Sequence, residues 1–377
     1  MLKKWFMYGL TALVLGCCVS TVRAAGPTAE EIAKWGVAAE KGDAEAQFKL
    51  GVCYYTGEGG LPKDPEKAVY WYRKAAEQGH AKAQYNLGLC YYNSYSVLMK
   101  NWAAEWFCKA AEQGYAPAQA MLGLCYYNGY GVPKDTEKVV YWYRKAAEQG
   151  YAPAQIELGL CYENGLGVAK DFKQAFNWYR KAAEQGYAEA QFNLALFYNN
   201  GWGVPKDPKK AVYWYQKAAE QGLSDAQHNL GLCYLKGEGV PKDLEKAVYW
   251  YRKAAEQGLK EAQNKLGLCY LDGVSKNPEM AVHWFRKAAE QGLKEAQFNL
   301  ALCYRKGEGV SKNSEMAVHW FRKAAEQGDA TAQFNLACCY HNGEGVPKDL
   351  EMAVHWFRKA AEQGDPTAKD ALKKLGY

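Results

Sequence analysis

Serine is scarce in this 377-residue chain. After residue 24 it occurs only as Ser94, Ser96, Ser224, Ser275, Ser311 and Ser314, and none of them opens an S-x-x-K. K-T-G, Walker A and H-E-x-x-H are missing as well, which removes the commonest signatures of serine acyl transfer, phosphate-loop chemistry and zinc proteolysis. There is no C-x-x-C, and no Cys/His cluster has zinc spacing. Beyond residue 24 no run approaches the ~18 apolar residues that a membrane helix needs. One-signed charge is also lacking. The net charge of +6 includes Lys3, Lys4 and Arg23, and without them 44 basic face 41 acidic residues, a net of +3. Lysines and glutamates are spread evenly, so the basic stripe of a nucleic-acid binder is absent.

What the chain has in plenty is repetition. Lys242–Gly258 reads K-D-L-E-K-A-V-Y-W-Y-R-K-A-A-E-Q-G, and near copies end at Gly42, Gly79, Gly114, Gly150, Gly186, Gly222, Gly258, Gly292, Gly328 and Gly364. The spacing stays between 34 and 37 residues. A fixed period in this range marks a solenoid, in which each unit buries its apolar face against its neighbours. The expected organisation is a capping half-repeat over 25–42, nine repeats over 43–364 and a capping helix over 365–377. Hydrophobic content of 49%, with 13 Trp and 29 Tyr, is ample for burial.

The sixth unit shows how one repeat folds. Ala226-Gln227, Leu230-Gly231 and Tyr234 recur at helical spacing and predict helix A from about Asp225 to Leu235. The segment Lys236–Lys242 carries two glycines and Pro241, which close one helix and prevent its continuation. Val240 is the apolar residue of that loop and is expected to plug into the core. Asp243 is placed to cap helix B. Ala247, Trp250, Tyr251 and Ala254 then form its buried face, opposite Glu245, Lys246, Tyr249, Arg252, Lys253 and Glu256. Gly258 takes the left-handed stop position. Nine tryptophans share one slot, from Trp71 through Trp250 to Trp356, and core packing explains them better than a ligand stripe does.

The pattern A-Q-x-x-L-G-x-x-Y-x-x-G-x-G-V-x-K-D-x-x-K-A-x-x-W-Y-x-K-A-A-E-Q-G resembles the Sel-one-like repeat, a relative of the tetratricopeptide repeat, over about 320 of the 377 residues. The resemblance implies an all-α, right-handed superhelix of paired antiparallel helices. It also implies a scaffold or adaptor role, with exported bacterial members acting at the cell envelope or on host proteins. Some cysteine-rich members are described as penicillin-binding or β-lactamase-like. Here Ser275-Lys276-Asn277 and Ser311-Lys312-Asn313 look faintly like the middle serine motif of such enzymes, but they sit where a helix cap belongs. No catalytic residue, cofactor or metal is expected.

Ten cysteines lie beyond residue 24, eight of them in one helix A slot: Cys53, Cys90, Cys125, Cys161, Cys233, Cys269, Cys303 and Cys339. The fifth repeat has Phe197 there, so the slot is apolar. Successive repeats lie ~10 Å apart, too far for a disulfide. The pairing of cysteines eight residues apart that secreted relatives use across A-A-E-Q-G is absent. Buried free thiols are expected, with Cys108 and Cys338 more exposed. His283, His319 and His355 stand before the Trp, where earlier repeats have Tyr. The same spacing keeps two imidazoles from sharing a ~2 Å-bonded ion, so an outward polar row is expected. The second repeat replaces the glycine loop with Asn93–Lys100 and offers Asn101 as its cap. The seventh is two residues short and uses Asn277, and the first has one extra loop residue. Thr28-Ala29-Glu30-Glu31 is a capping box.

Function is expected where the repeats differ. After the repeated Gln come Phe48, Tyr85, Ala120, Ile156, Phe192, His228, Asn264, Phe298 and Phe334. After the repeated Tyr come Tyr55, Tyr92, Tyr127, Glu163, Asn199, Leu235, Leu271, Arg305 and His341. A middle row of Leu, Val or Cys joins them, and the three rows share one helical face. In similar superhelices helix A lines the concave side. Phe48, Tyr55, Tyr85, Tyr92, Tyr127, Ile156, Glu163, Phe192, Leu235, Phe298, Arg305, Phe334 and His341 are therefore the candidate partner-binding residues, with aromatics concentrated in repeats one to three. The competing reading is that stacking buries this face.

The segment over 1–24 reads as a secretory signal peptide. Lys3 and Lys4 precede an apolar run, and Val22-Arg23-Ala24 fits cleavage after Ala24. Val14-Leu15-Gly16-Cys17 competes as a lipobox that would lipidate Cys17. The sequence thus reads as an exported, monomeric protein-binding scaffold, periplasmic or secreted. The alternatives are an outer-membrane lipoprotein of the same fold and, third, a β-lactamase-like hydrolase.

Overall fold

The computed structural model describes residues 26–94, 96–273 and 276–377, apart from the side chain of residue 97. The proposed signal segment and Cys17 lie outside the described residues. Two compact units divide at Lys206/Asp207. In the first, a capping helix α1 (Ala29–Glu40) precedes α2 (Ala44–Thr56), α3 (Pro65–Glu77), α4 (Ala81–Tyr92), α5 (Val97–Glu112), α6 (Ala116–Asn128), α7 (Thr136–Glu148), α8 (Ala152–Asn164), α9 (Phe172–Glu184) and α10 (Ala188–Asn200). The second holds α11 (Pro208–Glu220), α12 (Ser224–Lys236), α13 (Leu244–Glu256), α14 (Lys260–Asp272), α15 (Pro278–Glu290), α16 (Lys294–Lys306), α17 (Ser314–Glu326), α18 (Ala330–Asn342), α19 (Leu350–Glu362) and the cap α20 (Pro366–Lys374). Among the described residues every element is a helix, and within each unit consecutive helices pack against each other. Even-numbered helices from α2 to α18 are the repeats' helix A, and odd-numbered ones from α3 to α19 are helix B.

The caps follow the sequence closely. Thr28 and Glu31 form a full capping box. Asp64, Asp135, Asp243 and Asn277 each accept a first-turn amide through the side chain. At the other end Leu259 donates its amide to the Ala254 carbonyl, and Gly258 to that of Ala255, closing α13 through a left-handed Gly258. The second repeat departs from expectation. Asn101 does not cap, because the chain is already helical from Val97 and the N-cap is Ser96, without a side-chain cap bond. The Asn101 Oδ1 instead accepts the Gly131 amide of the next repeat's loop at 2.7 Å. Val240 is half-buried.

The deepest ring of the core is the residue after the tryptophan. Tyr143, Tyr179, Tyr251, Phe107, Phe285 and Phe321 are fully buried. Trp71, Trp284, Trp320 and Trp356 are buried too, while Trp106, Trp142, Trp178, Trp214 and Trp250 are half-buried at the rim. Helix A makes room by giving up side-chain volume. A methyl group added at Gly231 would lie 2.9 Å from the Tyr251 ring, so this glycine lets α12 and α13 close together.

The repeated glutamines form a link that their spacing alone did not reveal. Gln227, buried in α12, donates Nε2 to the Ala219 carbonyl at the end of α11. Its Oε1 accepts at 2.8 Å from Nε2 of Gln257, the residue that caps the end of α13. One amide thereby joins three helices, and Gln119 does the same in the first unit through Ala111 and Gln149. Gln227→Leu should cost about 1–3 kcal/mol, because it strips the Gln257 amide and a buried carbonyl of a partner at once. Urea denaturation of the purified variant measures this. A loss no larger than about 0.5 kcal/mol, the scatter of ordinary surface changes, would show that the relay contributes little. Arginines add a second inter-repeat link: Arg144 Nη2 donates to the Tyr162 hydroxyl at 2.9 Å and Arg252 to that of Tyr270 at 2.6 Å.

Candidate partner-binding faces

The varied rows of helix A divide between accessible and closed positions. In the first unit Phe48, Tyr55, Tyr127 and Glu163 are half-buried. Tyr85, Tyr92, Ile156 and Phe192 are only 1%, 8%, 5% and 3% exposed, so they do not belong to an open groove. Stacking of neighbouring repeats closes over them. The Tyr85 ring packs against Phe107 and Tyr115 with centroids at 5.8 and 5.4 Å, and Tyr92 against Phe107 and Tyr130 at 6.3 and 6.0 Å. The expected concentration of accessible aromatics in repeats one to three is therefore reduced to Phe48, Tyr55 and Tyr127.

The second unit keeps its set at the surface. Leu235, Phe298, Arg305, Phe334 and His341 are all half-buried. Phe298 leans on Phe321 and Phe334 on Phe357, with centroids at 5.8 and 5.5 Å. The Arg305 guanidinium lies 5.4 Å over the Phe321 ring and donates to Asn335 Oδ1 at 2.7 Å. Side chains held in this way present rigid apolar and cationic surface at little entropic cost, as hot-spot residues do.

A fourth row escaped the sequence reading. Two residues after the repeated Gln stand Lys49, Asn86, Met121, Glu157, Asn193, Asn229, Lys265, Asn299 and Asn335. Glu157 is 2% exposed, and its Oε2 has no hydrogen-bond partner. Burial alone pushes its carboxyl up to about 8, so it is mostly neutral at pH 7. Tyr143 of α7 is buried with its hydroxyl unpaired, and burial, then the neighbouring Glu157 and Cys161, raise it well above the usual phenol range. One repeat later the equivalent Tyr179 hydroxyl donates to Glu163 Oε2 at 2.7 Å. The only hint in the sequence is a lone acid in a row of Asn, Lys and Met.

His228 is the counterpart in the second unit. It packs at 5.5 Å from the Tyr251 ring, and its Nδ1 is buried without a partner. Burial pushes the imidazole down to about 4, with Lys265 adding to the shift and Glu261 opposing it. His283, His319 and His355 are exposed, as the outward row requires. Each stands edge-on to the following Trp at 5.1–5.2 Å.

The ten cysteines of the described residues are all free thiols. Seven of the eight in the shared slot are buried, Cys90 is half-buried, and Cys108 and Cys338 are the more open extras. Burial, then the bond to Glu112, pushes the Cys108 thiol up to about 11, which blunts its reactivity despite its access. Among the described residues no group of three or more His, Cys, Asp or Glu is placed to hold a metal ion, and no helix is long and apolar enough to cross a membrane.

This frame of capped hairpins, glutamine relays and a varied helix A face has counterparts among known proteins. The Sel1 repeat matches nine consecutive times, at residues 44–80, 81–115, 116–151, 152–187, 188–223, 224–259, 260–293, 294–329 and 330–365. The chain belongs to the Sel1 repeat family. It is similar to the crystal structure of c5321, a protective antigen of uropathogenic Escherichia coli with an SLR fold, at 38% identity and a TM-score of 0.74, covering 91% of this chain and 82% of that one. A Sel1 repeat protein from Oxalobacter formigenes is similar at 36% identity and a TM-score of 0.64, covering 81% and 90%. No curated protein matches. Sel1-repeat proteins are generally protein-interaction scaffolds.

Proposed function

We propose that this Sel1-repeat chain is an exported, non-catalytic adaptor that binds protein segments on the half-exposed helix A faces of its units. The carrying observation is the split between frame and variation. Caps, core ring and glutamine relay recur unit after unit, while Tyr55, Tyr127, Glu163, Phe298, Arg305 and His341 differ and remain reachable. Variation alone also marks the buried Tyr85, Ile156 and Phe192, so the reading rests on the positions that both vary and stay reachable. The leading segment over 1–24 supports export, and so does similarity to a protein named as a protective antigen. The intact mass of the native protein distinguishes a start at Ala25 from a lipidated Cys17.

The test begins with crosslinking and mass spectrometry of envelope and host-fluid fractions to name a partner. The double substitution Tyr55→Ser, Tyr127→Ser and, separately, Phe298→Ser, Phe334→Ser should each be compared with the native chain, with helicity checked by circular dichroism. At least one pair should weaken capture tenfold or more. Unchanged capture by both folded variants would sink the assignment of these faces, and nitrocefin turnover by the purified chain would sink the non-catalytic reading.

A further inference from the structure

We propose that Glu157 and Tyr143 form the seat for a lysine or arginine side chain presented by the protein partner on the helix A face of the first unit. The inference rests on the partner-binding reading above and gives it a chemical preference. Two buried polar atoms from different helices, Glu157 Oε2 of α8 and the Tyr143 hydroxyl of α7, are both without a hydrogen-bond partner. They are close enough for Glu157 to raise Tyr143. Buried polar groups are paired in the great majority of cases, so two orphans within electrostatic reach of each other call for a reason.

Elsewhere the chain shows how it treats these positions when nothing is to be bound. In repeats two and seven to nine the ring after the tryptophan is Phe107, Phe285, Phe321 or Phe357 and carries no hydroxyl to be satisfied. Where an acceptor exists, Tyr179 uses it. Tyr251 also has an unpaired hydroxyl, but the ring beside it is His228, and Lys265 stands fourteen residues on, where Glu157 stands from Tyr143, so no acid is there to draw a cation. At the Glu157 position the other repeats have Lys, Asn or Met and never an acid. Tyr143 with Glu157 is thus a retained pair of acceptor atoms. An ammonium has three donors and a guanidinium five, enough to satisfy both oxygens with charge assistance on the carboxylate. Half-exposed Tyr127 is the accessible side chain on which Glu157 acts as well, while Glu163 is held by Tyr179. Tyr127 is the side chain that would swing to admit the cation, and its ring would then stack on it.

The seat carries a built-in signature. An uncharged carboxyl is tolerated in the closed state, but a cation favours the carboxylate, so docking releases a proton below the resting value of about 8. The other titratable groups around it are Tyr92 of α4, Cys125 and Tyr127 of α6, Cys161 and Glu163 of α8, and Tyr179 of α9, with Lys170 acting on Glu163. The tyrosines and cysteines are raised and stay neutral between pH 6.5 and 8.5. Glu163 is the one group whose own titration needs a control.

The test pans a phage-displayed random peptide library against the full chain at pH 8.5, then measures the best synthetic peptide by calorimetry at pH 6.5 and 8.5. The expected winner contains Lys or Arg and binds roughly tenfold or more tighter at pH 8.5. Replacing that residue by norleucine or citrulline should lose the affinity. So should E157Q, which should also flatten the pH dependence; E163Q should keep the pH slope, whatever it does to the affinity itself. Y143F, nearly isosteric, should weaken binding without removing the slope. A winner without a basic residue, or one whose affinity and slope survive E157Q, overturns the seat and leaves the adaptor reading standing. A library that yields no binder overturns both.

Discussion

Between pH 5 and pH 9 the first unit should lose about 4 kcal/mol of stability through Glu157, and Glu157→Gln should abolish that loss. The folded carboxyl ionises at about 8 and the unfolded one at the ordinary glutamate value of 4.5. From 4.5 to 8 the native state therefore holds a proton that the unfolded state has released. Unfolding then gains free energy as pH rises, and stability falls across that window before levelling off above 8. Each tenfold fall in proton activity across the window is worth ~1.4 kcal/mol, which sets the magnitude as an upper value, since water entry softens buried ionisation. His228 acts with the opposite sign. Its imidazole is neutral down to about 4 when folded and protonates near 6.5 when unfolded, so the second unit weakens as pH drops from 6.5 to 4. The measurement is hydrogen exchange of α8 and of α12 amides in the native chain and in the Glu157→Gln variant, at pH 5, 7 and 9. The α8 difference between the proteins should grow with pH while α12 stays unchanged. Parallel α8 protection at all three values would show that the buried carboxyl is relieved by some other route.

Repeat period, cap residues and the buried stripe were legible in the sequence because each is a local requirement restated nine times. Asp243 has to cap, Gly258 has to stop and Tyr251 has to be apolar enough to bury, whatever lies elsewhere in the chain. The relay between Gln227 and Gln257 was not legible, since pattern reading assigns a glutamine no partner on another helix. Exposure of the varied face was the larger difference. Tyr85, Ile156 and Phe192 vary between repeats in the same way as Tyr55 and Tyr127, yet their neighbours close over them. Variation within a repeat reveals freedom from the frame without revealing access to solvent. Asn101 misled for a related reason: Asn is a good cap, and only the helical course of Val97–Lys100 shows that the cap has moved upstream.

Two glycines of the sixth repeat should respond very differently to the same substitution. Gly239→Ala should destabilise the second unit by about 3–5 kcal/mol, and Gly258→Ala by about 1–2 kcal/mol. Both have left-handed backbones, φ +77° and +92°, so both incur the ~1–2 kcal/mol penalty of a Cβ in that region. At Gly258 nothing lies within 4 Å of the added methyl group, and the penalty ends there. At Gly239 the methyl group would overlap the carbonyl of Pro208, the first residue of α11 in the preceding repeat. Backbone at a helix start cannot rotate aside as a side chain can, so the loop must lift off its neighbour and expose what it covered. Gly309 meets Pro278 and Gly345 meets Ser314 in the same way, each at the first residue of the preceding repeat's helix B. The second glycine of the loop is therefore a joint between repeats. Urea denaturation of the two variants decides the matter. Equal losses would mean that the loop yields freely, and that the repeats are held together by the glutamine relay and the aromatic ring without it.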